Sequence, residues 1–136
     1  MVLRPDNFTE QAQEVLNTSQ EIVAQFRHSQ WDVEHVVLAL LQLERGLPVE
    51  IMEVLDIDVE AVKGRLEDVL GQSPQMAYES SQVYAAPRAV HLVDNAKREA
   101  DRLKDEFIGT EHLLIAATTE RDGDAAAILS EFGIDQ

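Results

Sequence analysis

The dipeptide Glu34-His35 returns as Glu111-His112, and the separation (112 − 35 = 77) carries the neighbouring matches without a gap. Ala12 falls on Ala89, Ala39 on Ala116, Gly46 on Gly123, Ile51 on Ile128, and Ile57-Asp58 on Ile134-Asp135. Such a duplication constrains the architecture before any single motif does. The unit is longer than the roughly 20–50 residues of solenoid repeats, so a small bundle copied once is expected, closing into one pseudo-symmetric globule. At 136 residues the chain has the size of one domain with its own core.

The apolar spacing is helical. Ala12, Val15, Leu16, Ser19, Val23 and Phe26 lie on one stripe, which predicts a helix over Glu10 to Arg27 capped by Thr9. A second helix is expected from Val33 to Glu44, opened by Asp32 and closed by Gly46. Pro48 suits the first position of a short third helix with Val49, Ile51, Met52 and Leu55, and Asp58 can cap a fourth that ends at Gly71. The second copy repeats the plan: Pro87 opens a long helix, Thr110 caps the next, and Asp124 caps a short one before Gly133. No comparable window alternates with period two, so the expectation is an all-α fold without a sheet. Gln72 to Ala86, rich in Gln, Ser and Ala, reads as a linker between repeat one (8–71) and repeat two (87–135). The second copy has no counterpart of the fourth helix before Gln136; either that helix is lost or the chain continues in a longer protein.

Charge and composition narrow the function. With 26 acidic against 11 basic side chains the net charge is −15, which repels phosphate backbones and anionic lipid headgroups, so neither nucleic acid nor membrane is an expected partner. The opening residues carry no apolar signal segment, and the longest apolar run, Val36 to Leu41, is far too short for a bilayer of about 30 Å, so a soluble cytoplasmic protein is expected. There are no cysteines, which excludes thiolate chemistry and disulfides.

Phe8-Thr9-Glu10-Gln11-Ala12, Glu34-His35 before Val36-Val37-Leu38, Pro87-Arg88-Ala89, Ile108-Gly109-Thr110-Glu111-His112-Leu113-Leu114 and Phe132-Gly133-Ile134-Asp135 form a recognisable order. It resembles the double Clp repeat at the N-terminus of the Clp unfoldases, over residues 8 to 135. The resemblance implies two four-helix units related by a pseudo-two-fold axis, and a non-catalytic domain that recruits unfolded or tagged clients or adaptor proteins to an AAA+ ATPase ring. The chain itself has no Walker-type Gly-x-x-x-x-Gly-Lys-Ser/Thr, so no cofactor is expected in it.

The resemblance also suggests where binding falls. In the ClpC branch the Glu of the Thr-Glu-His motif takes the guanidinium of a phosphoarginine mark, and the Thr of the Phe-Thr start lies at its phosphate. By motif position these are Glu34 with Thr9 in the first copy and Glu111 in the second. A carboxylate holds a guanidinium by two parallel hydrogen bonds and a helix N-terminus favours phosphate. The second copy has Ala86 at the threonine position, and Asp32 adds negative charge beside Glu34. Adaptor docking or binding of apolar segments is therefore expected ahead of phosphoarginine capture. Phe8 and Trp31 are the aromatic candidates for client binding; Phe8 otherwise reads as a hydrophobic staple, and Trp31, whose repeat partner is Ile108, as core.

Simpler readings stand beside these. Glu34 and Glu111 fall in first helical turns, where the dipole favours a carboxylate whatever the function. His35 and His112 read as helix-end packing rather than metal ligands, since no His-Glu-x-x-His spacing occurs, and His28 and His91 as solvated. Lys97 to Glu106 mixes signs as a solvated helical face does. A hydrolase or transferase using the Glu-His pairs is disfavoured, because adjacent helical residues point about 100° apart. A stand-alone binding protein built from the same repeats is the remaining alternative.

Overall fold

The computed structural model describes residues 7–43, 46–72, 84–120 and 124–134. Seven helices carry these residues: α1 (Glu10–Gln25), α2 (Val33–Gln42), α3 (Leu47–Val54), α4 (Val59–Gln72), α5 (Pro87–Arg102), α6 (Thr110–Thr119) and α7 (Ala125–Glu131). Both ends of α1 and α2 sit 77 residues before those of α5 and α6, so the duplication read in the sequence is a duplication of structure. Among the described residues α4 has no counterpart after α7.

The helix ends repeat as faithfully. Arg27 and Lys104 stand at φ 53° and 60°, and Asp56 and Gly133 at φ 61° and 82°, each pair one repeat apart. At each, the chain leaves the helix through a left-handed residue, and the next amide reaches back to a carbonyl of the last turn. These bonds are His28 N–H to the Val23 carbonyl (3.0 Å), Asp105 N–H to Ala100 (2.8 Å), Ile57 N–H to Met52 (2.9 Å) and Ile134 N–H to Leu129 (2.9 Å). This geometry satisfies carbonyls that a helix end otherwise leaves orphaned.

Helix α2 is the centre of the packing. Every residue from Val33 to Leu41 is buried, and the helix touches α1, α3 and α4 of its own copy and α5, α6 and α7 of the other. From Val36 to Leu41 the helix is apolar on all sides, which places it inside the protein. Its repeat mate α6 packs on α5 and α7 and crosses to α1, α2 and α3. One buried cluster accordingly runs through both copies, from Phe8 and Trp31 to Ile128 and Ile134.

Contrary to the expectation of no sheet, two short extended segments pair, β1 (Gln30–Trp31) with β2 (Tyr84–Ala85), in parallel. An isolated parallel bridge joins Phe8 to Ile108. The two pairings are repeat mates of each other. Ala86 N–H donates to the Trp31 carbonyl at 2.9 Å, and 77 residues away Thr9 N–H donates to the Ile108 carbonyl, also at 2.9 Å. The chain entering the first helix of each copy thus pairs with the chain entering the second helix of the other. Two-residue ladders leave no period-two signal, which is why the sequence did not announce them.

Several predicted boundaries move. Helix α1 stops at Gln25; α2 stops at Gln42 with Leu43 as its cap, and its expected end at Glu44 lies outside the described residues. Gly46 opens α3 instead of closing α2, and Pro48 is its second residue. Asp58 does cap α4, accepting the Ala61 amide at 3.3 Å, and that helix runs through Gly71. Thr110 is the first residue of α6, not its cap; Gly109 holds that place. Most of the expected linker, residues 73–83, lies outside the described residues, as do Gly123 and Asp135; Tyr84 to Ala86 are extended chain leading into α5.

Candidate functional site at the repeat junction

Asp32 precedes α2 in extended conformation, and its side-chain Oδ1 accepts the Val33 amide at 2.8 Å. Its own amide donates to Nδ1 of His35 at 2.9 Å. A nitrogen that accepts an N–H carries no proton, so the single proton of neutral His35 sits on Nε2. That Nε2–H faces Nδ1 of His28 at 2.8 Å, and the other nitrogen of His28, Nε2, lies 3.0 Å from the carbonyl oxygen of Leu70 at the end of α4. A carbonyl only accepts, so His28 is also the Nε2–H tautomer. The result is a one-way relay, Asp32 N–H to His35 to His28 to Leu70, closed by Phe26 stacked on the His28 ring at 5.6 Å.

His28 is thus not the solvated residue the sequence suggested: it is 6% exposed. Burial, only partly offset by the Leu70 carbonyl and the charge of Asp32, lowers its pKa. His35 is pushed further, from 6.5 to about 4, first by burial and then by the neighbouring ring. The second copy builds the same corner from different parts. Gly109 N–H donates to Nδ1 of His112 at 2.7 Å, and Nε2 of His112 donates to Asp105 at 2.9 Å. Asp105 is the repeat mate of His28, so a carboxylate stands where the first copy has an imidazole.

Glu34, one residue along, is 4% exposed. Its Oε1 accepts the amide of Asp124 at the head of α7 (2.8 Å) and lies 4.0 Å from the Arg88 guanidinium. Arg88, in the first turn of α5, clamps Asp32 with two hydrogen bonds of 2.6 and 2.5 Å. Burial, with the charge of Asp32 next, raises the pKa of Glu34; the Asp124 amide and Arg88 oppose it. The Asp32 carboxylate holds Arg88 more firmly protonated than usual. These groups, with Ser29, Gln30, Val69 and Leu70, line an open cleft of about 260 Å³ where both copies meet.

The structure separates the expected site residues. Glu34 reaches the cleft. Thr9 caps α1, its Oγ1 accepting the Ala12 amide at 3.1 Å. Phe8 (4% exposed) and Trp31 (1%) are core residues and not exposed anchors, because the swapped pairings draw both inward. The indole N–H of Trp31 donates to the buried hydroxyl of Ser19 at 2.8 Å. Glu111 is the accessible carboxylate of the pair: its side chain is 37% exposed, and among the described residues the basic group paired with it is His112 at 3.5 Å. The exposed aromatics among the described residues are Tyr84 (64%) and Phe107 (45%). Arg88, Asp124 and His28 were missed as site residues; the one available signal was register, since His28 aligns with Asp105 at the shared offset. Asp105, read as part of a solvated face, is exposed, its side chain at 50%, while also accepting from His112; Glu99 and Arg102 pair on the same stretch at 2.7 Å.

Two interlocked copies of a helical unit, sharing one core and a polar cleft at their junction, define a duplicated all-α domain. A match to the family described as the Clp repeat (R) N-terminal domain covers residues 7–132. The chain belongs to this family. It is 30% identical over 127 residues to the negative regulator of genetic competence ClpC/MecB of Bacillus subtilis (strain 168), an alignment covering 93% of this chain and 15% of that protein. The chain thus spans about 15% of the length of the curated relatives it matches. Among solved structures it superimposes on the Hsp104 N-terminal domain from Candida albicans with a TM-score of 0.84 at 17% identity, over 95% of this chain and 83% of that one. It also superimposes on the ClpV N-domain in its complex with a VipB peptide, with a TM-score of 0.73 at 12% identity over 93% and 79%. Among the described residues no helix is long and apolar enough to cross a membrane.

Proposed function

We propose that the chain is a non-catalytic protein-recognition domain that recruits client or adaptor proteins to the ATPase ring of a Clp protein in the cytoplasm, for unfolding or degradation. The observation that carries this reading is the match of nearly the whole chain to the N-terminal domain of Clp proteins that are several times longer. The ClpV N-domain, which shares the fold, is known with a peptide bound. The chemistry agrees: His35 and His112 are spent on helix starts and Glu34 on a contact between the copies, so neither Glu-His pair is free as a pair to serve a reacting atom.

Recognition is assigned to accessible groups. Glu34 already accepts the Asp124 amide and lies close to Arg88, so a partner's guanidinium would have to displace both. Glu111 is open to a cationic side chain, and Tyr84 and Phe107 offer apolar area. A phosphoarginine reader using Thr9 and Glu34 is disfavoured on the same geometry.

Titration of the chain by calorimetry or NMR, without ATP, with a partly unfolded protein and with candidate adaptors tests the proposal. Saturable binding weakened by Glu111→Ala, Tyr84→Ala or Phe107→Ala is the expected result. No binding to any of these would reject recruitment, and shifts centred on Thr9 and Glu34 upon addition of free phosphoarginine would reinstate that ligand.

A further inference from the structure

We propose that the His28–His35 pair is an acid-sensitive latch, tying the C-terminal end of α4 to the start of α2 only while both rings are neutral. The relay has no place for a third proton. On His35 Nδ1 it would oppose the Asp32 amide, now 2.9 Å away and donating. On His28 Nδ1 it would oppose the Nε2–H of His35 across 2.8 Å. Either way one N–H is driven against another inside a mostly buried site, and the link from Asp32 to the Leu70 carbonyl breaks.

The surroundings favour breakage over accommodation. From the α2 start, Asp32 attracts an added proton on either ring, but both of its oxygens are held by Arg88 of α5. Glu34, also in the cleft, is itself biased toward its neutral form, and Asp124 of α7 contributes its amide to Glu34. What α4 presents is the Leu70 carbonyl, and what the α1 end presents is the Phe26 ring. The depressed pKa values of both rings agree with this. Both rings line the open cleft, so a proton can reach them without global unfolding. The second copy has no such latch, because the Nε2–H of His112 ends on the carboxylate of Asp105, where the first copy continues through a second ring to the Leu70 carbonyl.

A histidine whose folded pKa lies below its unfolded one stabilises fully above about pH 6.5, and the contribution is lost as pH falls toward about 4. Hydrogen exchange on the full chain, corrected for the intrinsic pH dependence, reads this locally. Protection of amides at the end of α4 is expected to fall by up to about tenfold per pH unit below about pH 6. His28→Asp, which gives the first copy the second copy's arrangement and cannot donate to the Leu70 carbonyl, is expected to remove that pH dependence, and His28→Leu, which can neither accept from His35 nor donate to Leu70, serves should the aspartate prevent folding. NMR of the wild-type imidazoles at neutral pH must show Nε2–H on both rings. Protection of α4 that ignores pH, a variant that loses it as steeply, or an Nδ1–H tautomer at His35 would each overturn the latch.

Discussion

Among the described residues two forked guanidinium–carboxylate pairs join the copies, and burial separates their expected energetics. Arg88 binds Asp32 through two hydrogen bonds with side-chain exposures of 33% and 13%, whereas Arg65 binds Glu131 at 3.3 and 3.2 Å with exposures of 43% and 50%. Charge-assisted forked bonds contribute most when water is excluded, and surface pairs are screened and entropically costly. Discounted for the exposed third of Arg88, its coupling to Asp32 should be about 1–2 kcal/mol. The Arg65–Glu131 coupling should be lost in experimental error. A double-mutant cycle with Asp32→Asn and Arg88→Met preserves the Val33 cap and the arginine stem, so it isolates the ionic contact. Urea unfolding followed by the fluorescence of Trp31, the single tryptophan, measures it. Adding about 0.5 M salt should leave most of the Arg88 coupling, since buried pairs are weakly screened. Equal couplings for both pairs, or a cycle at Arg88 that closes to zero, would refute the claim that the cleft's ion pair holds the copies together.

Other consequences follow from the same geometry. Ser19→Ala leaves the buried Trp31 N–H without its acceptor and should cost about 1–3 kcal/mol in urea unfolding. Glu34→Gln keeps an acceptor for the Asp124 amide but cannot ionise. Because burial raises the Glu34 pKa, its stabilising contribution is present below about pH 4.5 and lost as pH rises, so the variant should gain on wild type as pH rises above about 4.5. Gly133→Ala should destabilise by about 1 kcal/mol from backbone conformation alone, since a Cβ there meets nothing within 4 Å. Lys104→Gly at the corresponding left-handed turn of α5 should stabilise by up to about 1 kcal/mol in the same assay.

Part of the site could be read from residues. The Thr9 cap, the Asp32 cap and the helix-end roles of His35 and His112 follow from short-range chemistry, in which a side chain satisfies an amide a few residues away. Phe8, Trp31 and His28 could not be placed in this way. Their burial depends on partners 100, 54 and 42 residues distant, namely Ile108, Ala85 and Leu70. Glu34 was recognised as a site position, but the sequence offered no sign that Asp124 and Arg88 already engage it.

What the sequence determined by itself was the duplication, the helical character of each segment and membership of a repeat family, because these rest on periodicity and spacing along one chain. Which side chains face the cleft, which carboxylate stays open and how the copies interlock were decided by the tertiary structure alone. Contacts between distant segments depend on how two apolar surfaces close on each other, and nothing in a local pattern records that closure.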